Sequence, residues 1–373
     1  MSLARDIVDR IFFPNRDVHA IPVLDGGFSP NKRLDAARTL VQFEKPDGLA
    51  AGPDGRLYVS AGSTVFACSG DGFGTVERFA GTDGPAGALA WTPNNRLLVA
   101  VEGRGVHAFE VDGKSTGILE TVERKPLRCV TGLAVAADGM VYATEGSDRN
   151  VTGDWLVDLM QNRKGRGRLV VCDEDLSEGR TVQGGLSWPA GVAVAHDEAE
   201  ILVTEAWSHR LSAVSRPNGA VRVLKRNFAG YPGRIVRGSA GDYWVAFFAL
   251  RTQLTEFVLR ETSFRVKMMD RVPPELWIGP SLGDHVDYRE PTQVGRIKKL
   301  GIQKPWAPAR SYGLIARIDG DGEAHESLHS RVSGHLHGIT AAAEIAGRLY
   351  VLSRGHGQLA VIPLSAVEEG GVA

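Results

Sequence analysis

The sequence predicts an all-β fold, a six-bladed β-propeller with an N-terminal arm and two helical or irregular insertions on the active-site face. Three observations carry this expectation. A strand-turn-strand pattern recurs six times along the chain. Most recurrences are spaced near the length of one propeller blade. Forty-five glycines and 18 prolines in 373 residues favour many turns over long helices, and 43% hydrophobic residues suffice for a sizeable core.

Residues 1–40 are expected to form a helix and an extended arm packed on the propeller, with one final strand completing a blade, and residues 41–373 to form the propeller itself. The six repeats are KPDGLAAGPDGRLYVSA from Lys45, GPAGALAWTPNNRLLVAVE from Gly84, CVTGLAVAADGMVYATE from Cys129, WPAGVAVAHDEAEILVTE from Trp188, YPGRIVRGSAGDYWVAF from Tyr231 and HLHGITAAAEIAGRLYVLS from His335. Each is a short apolar strand, a Gly/Asp/Asn turn and a second strand, which reads as a β-hairpin. Third strands follow in TVFACSG, GVHAFEVDG, RLVVCDED, HRLSAVSRPNG and QLAVIPL, and fourth strands in VERFAG, ILETVER, TVQGG and VRVLKRNF. Equivalent positions at Gly48, Ala88, Gly132, Gly191, Arg234 and Gly338 are 40, 44, 59, 43 and 104 residues apart. The two long intervals require insertions at about 147–167, where WLVDLM behind Asp154 suits a short amphipathic helix, and at about 268–310, a Pro-, Trp- and Lys-rich lid. Separate sandwich domains with similar turns explain the spacing less well.

Composition narrows the partners. A formal net charge of -1 gives no long-range attraction to nucleic acid or an anionic membrane, so a small-molecule substrate is expected and a homo-oligomer is left open. No apolar run reaches membrane-spanning length. Asp6 and Arg10 interrupt the first apolar stretch, unlike a secretory signal, and a cytoplasmic location is expected. Cys68, Cys129 and Cys172 are odd in number and scattered, which suits buried thiols.

In a propeller the innermost strands line a central channel. The residues before the aligned glycines, Asp47, Gly87, Thr131, Ala190, Gly233 and His337, are therefore expected to ring its mouth. Arg234 is a cation where the other repeats hold Gly or Ala. Second strands end at a further polar set, Glu102, Glu145, Glu205 and Arg354, with Trp207 and His209 just behind. Opposed carboxylates and cations in one cleft suit acid/base chemistry. Asp47, Glu145, Arg234 and His337 are the catalytic candidates; Glu102, Thr131, Trp188, Glu205, Trp207, His209, His335 and Arg354 are the substrate-binding candidates. His335 and His337 alone are too few for zinc, and the ring holds too few oxygens for calcium, so no cofactor is expected and calcium is disfavoured.

The stretches GRLVVCDEDL, LSWPAGVAVAHDEAEILVTEAWSHRL and AGYPGRIVRGSAGDYWVAFFALR, with SYGLIARIDGDGEAHESLHS and GRLYVLSRGHGQLAVIPL, resemble the strictosidine synthase-like branch of the six-bladed propeller superfamily. That superfamily includes gluconolactonases, paraoxonases and the adipocyte plasma membrane-associated protein. The resemblance covers residues 40 to 364 and implies an active centre at the channel mouth. Its hydrolytic members hold calcium there through one acidic residue and several Asn or Asp. Asp47 matches the acidic position, but Thr131, Ala190, Gly233 and Arg234 stand where Asn or Asp is expected. Thr340 lies near the position of the glutamate that strictosidine synthase uses. The expected function is an atypical, metal-independent small-molecule hydrolase of lactonase-like type, with a metal-independent lyase or condensing enzyme and a non-catalytic ligand-binding propeller as alternatives.

Overall fold

The computed structural model describes residues 20–283, 298–299, 302–303, 311–332 and 334–364. Six four-stranded antiparallel sheets surround one axis. Their innermost strands are Pro46–Ala51, Ala86–Trp91, Val130–Val135, Pro189–Val194, Gly230–Arg237 and Ile339–Ile345, each beside the next around the ring. Near-continuous apolar runs in the middle strands, such as the fully buried Leu57–Ala61 and Leu97–Val101, let the sheets bury both faces against their neighbours, and apolar clusters fill the spaces.

The sixth sheet joins both ends of the described chain. Its outer strand is Arg38–Gln42, paired antiparallel with Gln358–Pro363, so no blade at the junction is left with a missing strand. Upstream, the 3-10 turns Gly26–Phe28 and Arg33–Ala36 lie along the outer strand of the fifth blade, Ala324–Ser330. Asn31 fastens them, donating to Ser327 O at 2.8 Å and accepting from His329 N at 3.1 Å, while Leu34 is fully buried. Of the helix and arm expected over residues 1–40, positions 1–19 lie outside the described residues, and the rest holds the two 3-10 turns and the start of the joining strand.

Hydroxyl groups latch successive blades at the level of the channel mouth. Ser60 donates to Gly87 O at 2.7 Å, Thr131 to Pro189 O at 2.5 Å, and Thr204 to Gly233 O at 2.7 Å. Glycine is required at two of these contacts. A Cβ on Gly48 would come within 2.1 Å of Gly87 O, and one on Gly191 within 2.4 Å of Gly233 O.

Helical insertions sit beside the inner-strand starts. Helix Trp155–Gln161 ends at Asn162, whose left-handed φ of 51° closes it. Asp154 occupies its N-cap position without a side-chain cap bond. The helix is held instead by buried Asp158, which accepts from Ser147 Oγ (2.7 Å), Asn150 Nδ2 (2.7 Å) and Trp207 Nε1 (2.8 Å). The second insertion starts earlier than about 268, with helices Gln253–Arg260 and Thr262–Arg271; Thr252 caps the first by accepting from Thr255 N at 3.1 Å. Most of the remaining insertion, including Trp306, lies outside the described residues. Cys68, Cys129 and Cys172 are buried and free, and burial pushes the Cys68 thiol to about 11 and the Cys172 thiol to about 12, which leaves them protonated.

Candidate active site at the channel mouth

Every inner strand slips register near its start. The irregularities fall at Pro46/Leu49, Ala86/Leu89, Val130/Gly132, Pro189/Gly191, Pro232/Ile235 and Ile339/Ala341. A bulge frees its residue from the ladder and re-aims it. The equivalent positions are therefore Asp47, Gly87, Thr131, Ala190, Gly233 and, in the sixth blade, Thr340 in place of His337. Gly338, with φ of 61°, is a turn residue packed on Leu282 O and mimics the repeat glycine in sequence alone.

All of these bulge positions except Gly87 line one open cleft. Arg234 crosses its floor. From the fifth blade it reaches the third, donating Nε to Thr131 O at 3.1 Å, then the first through Nη1 to Asp47 O at 2.5 Å and Nη2 to Asp47 Oδ2, and the sixth through Nη1 to Thr340 O at 3.4 Å. Arg354, from the end of the sixth blade's second strand, takes the other carboxylate oxygen, Nη1 to Asp47 Oδ1 at 2.7 Å. Burial alone would raise the Asp47 carboxyl, but the attraction of Arg234 and Arg354, with their hydrogen bonds, outweighs it and holds the group below the usual carboxylate range.

Trp188 and Phe248 form apolar walls with Trp155 from the first insertion. Trp188 stacks on Trp207 at 5.1 Å between centroids, and Trp155 meets Phe248 edge-on at 5.6 Å. Leu282 closes the cleft from the second insertion. Two adjoining clefts share Arg354, and one of them is lined by Lys45 and Glu102. Glu102 accepts from Thr152 Oγ1 at 2.5 Å and Gly153 N at 2.6 Å, pinning the first insertion to the second blade.

Asp47, Thr131, Trp188, Arg234 and Arg354 thus meet in the cleft, while the other sequence candidates fall elsewhere. Glu145 and Glu205 are buried and turned toward their own blades. Glu145 accepts from Arg128 N (3.0 Å) and Arg168 Nε (2.6 Å), and Glu205 from Ser187 N (2.8 Å) and Arg210 Nε (2.5 Å). In both blades the arginine lies at the start of the third strand, directly opposite the glutamate. Burial raises the Glu145 carboxyl despite Arg168. His337 is fully buried, with Nδ1 at 2.9 Å from Ser311 Oγ and Nε2 at 2.8 Å from Arg331 O. Trp207 and His209 stand behind the cleft against Tyr231, and His335 is exposed on the surface. Phe248 and Trp155 were not among the sequence candidates. Trp155 carried a signal as the first residue of an amphipathic insertion, and Thr340, which the resemblance placed only near the strictosidine synthase glutamate, reaches the cleft through a bulge register that sequence alone does not display.

A calcium ion at this mouth would need six to eight oxygens. The carboxylate and carbonyl oxygens gathered there face the Arg234 guanidinium, which donates and cannot ligate, and Ala190 and Gly233 supply no side-chain oxygen. Among the described residues no group of three or more His, Cys, Asp or Glu is placed to hold a metal. The residues present do not fit the ion.

Fold and mouth together define a six-bladed propeller with a small-molecule cleft on its axis. The chain's sequence is similar to strictosidine synthase and to the adipocyte plasma membrane-associated proteins, and its fold to that of gluconolactonase. A strictosidine synthase family model matches residues 131–214. The adipocyte plasma membrane-associated protein of Danio rerio is 29% identical over 255 residues, covering 62% of this chain and 60% of that protein's length. A gluconolactonase from Xanthomonas campestris superposes with a TM-score of 0.58 at 17% identity, covering 89% of this chain and 91% of that one. The calcium-binding protein regucalcin from Agrobacterium tumefaciens gives 0.56 at 13%, covering 87% and 92%. At these identities the two structures establish the fold alone. The expected cytoplasmic location is corrected by the relatives, which are named as plasma membrane-associated proteins. Among the described residues no helix is long and apolar enough to cross a membrane.

Proposed function

We propose that the chain is a small-molecule hydrolase of lactonase-like type that works without a metal, with Arg234 as the cation that stabilises the developing oxyanion. The observation that carries this reading is the fixed guanidinium on the floor of the cleft. Four of its five N–H groups are committed to Asp47, Thr131 and Thr340, which leaves one on Nη2 for a substrate oxygen. A preorganised donor of this kind needs no reorganisation as charge develops. Asp47 orients the attacking water. Water oxygen bonds to the carbonyl carbon while its proton passes to the carboxylate; the ring C–O bond then breaks, and the departing alkoxide takes that proton to give a hydroxy acid. A carboxyl held low in pKa is a weak base, so activated lactones and aryl esters are the substrates it suits.

The test is turnover of a lactone and aryl-ester panel, followed by proton release. Activity is expected to persist in excess chelator, and Arg234→Ala is expected to lower kcat by about 10²–10³ with the fold intact, with partial rescue by added guanidinium. Activity abolished by chelator and restored by calcium overturns the metal-free mechanism. A second reading, a ligand-binding propeller without turnover, is favoured by one observation: Glu145 and His337 are engaged away from the cleft. Specific binding with no hydrolysis across the panel selects it.

A further inference from the structure

Among the described residues the cleft carries an uncompensated positive charge. Asp47, Arg234 and Arg354 are the charged residues among them that line it, and the single carboxylate offsets one guanidinium of the two. Arg234 is largely committed to the floor. Arg354 spends one N–H on Asp47 Oδ1, and its side chain is 32% exposed, so four N–H groups remain, including the Nε–Nη2 edge that matches a carboxylate bidentately. A second group also lacks a partner. Thr340 lines the same cleft, is 9% exposed, and its hydroxyl makes no hydrogen bond. A buried unpaired hydroxyl is costly and therefore marks a place where a ligand atom can be received. The remaining walls are flat and apolar, from Trp155, Trp188 and Phe248.

We propose that the cleft binds a small monocarboxylate carried on an aromatic body, the carboxylate against Arg354 with Thr340 Oγ1 as a further polar contact, and the body between the tryptophans and Phe248. The proposal rests on the mouth cleft being the ligand site, as in the reading above, and adds the charge and shape of what enters it. One excess positive charge suits a monoanion better than a phosphate monoester dianion. A guanidinium fork selects a planar anion, and a desolvating aromatic cleft strengthens that pairing.

The experiment measures binding of matched acid and amide pairs by tryptophan fluorescence and calorimetry: indole-3-acetate with its amide, 3-phenylpropionate with its amide, and 2-naphthoate with its amide, plus phenyl phosphate. None of these can be hydrolysed as a lactone, so the result is independent of turnover. At least one carboxylate is expected to bind about tenfold or more tighter than its amide, and Arg354→Gln is expected to remove that preference. Arg354→Lys, which keeps the charge without the fork, is expected to retain only part of it, and Thr340→Val to weaken the acid more than the amide. The proposal is overturned if no carboxylate binds at millimolar concentration, if amides or phenyl phosphate bind as well as the acids, or if the preference survives in folded Arg354→Gln protein or is undiminished in folded Arg354→Lys protein. Carboxylate binding without lactone turnover removes the hydrolase reading and leaves this one standing. The converse result removes only this one.

Discussion

At the residue scale, the protein places charge where solvent cannot relax it. Arg234 is the clearest case, a side chain from one blade acting as a tethered cation for oxygens of three others. His329 shows the opposite solution. It is fully buried on the fifth blade between Tyr312 Oη (3.1 Å from Nδ1) and Ser327 Oγ (2.8 Å from Nε2), and burial, with Arg331 nearby, pushes its pKa down to about 4. The folded state therefore disfavours the protonated ring. Stability tied to this residue is fully present above its ordinary value of 6.5 and is lost as pH falls from there through 4. At pH 5 the loss amounts to about 2 kcal/mol relative to pH 7. Urea titrations at the two pH values are expected to show that difference shrinking by the same amount in His329→Asn. An unchanged difference would argue that the ring does not titrate between folded and unfolded states.

At the element scale, the helix Trp155–Gln161 brings Trp155 to the cleft although its N-cap makes no side-chain bond. Asp158 holds it through three neutral donors, so Asp158→Ala strands the buried Trp207 N–H and releases Ser147 and Asn150. The expected cost is about 2–4 kcal/mol in chemical denaturation, accompanied by a red shift of tryptophan emission as Trp155 loosens. Native-like emission with full stability would show that the helix is held by apolar packing alone. The hairpins were legible in the sequence because alternation and Gly/Asp turns act locally. The site was legible where its residue types were unusual for the repeat, as at Asp47, Arg234 and Arg354. It was illegible where register decided. In HLHGIT the glycine that looks like the repeat marker is a turn, and the bulge falls at Thr340 beyond it. Glu145 and Glu205 misled for a related reason: the arginine that captures each lies one strand further on, opposite in register but 23 and five residues away in sequence.

At the scale of the whole molecule, closure depends on Arg38–Gln42 pairing with Gln358–Pro363. Removal of residues 1–42 uncovers the last strand as an open edge, with the apolar Leu359 to Ile362 stretch along it. Such edges recruit other chains. The truncated protein is expected to unfold at lower denaturant and to elute as oligomers in size-exclusion chromatography. A monomer of unchanged stability would mean that the sixth blade stands on three strands. The ring also sets the position of the cleft. Because Arg234 meets oxygens from the first, third and sixth blades, its geometry exists only once the circle is complete, and loss of closure is expected to cost ligand binding along with stability.

The joining strand has a consequence for how the protein is made. Thr39 bonds Gln358, 319 residues along the chain. At a synthesis rate of about 5–20 residues per second, the first strand of the propeller to leave the ribosome waits roughly 15–60 s for its partner to be translated. None of its five residues is fully buried, and polar Arg38, Thr39 and Gln42 flank the half-buried Leu40 and Val41, which lets it spend that interval in water as a solvated tail.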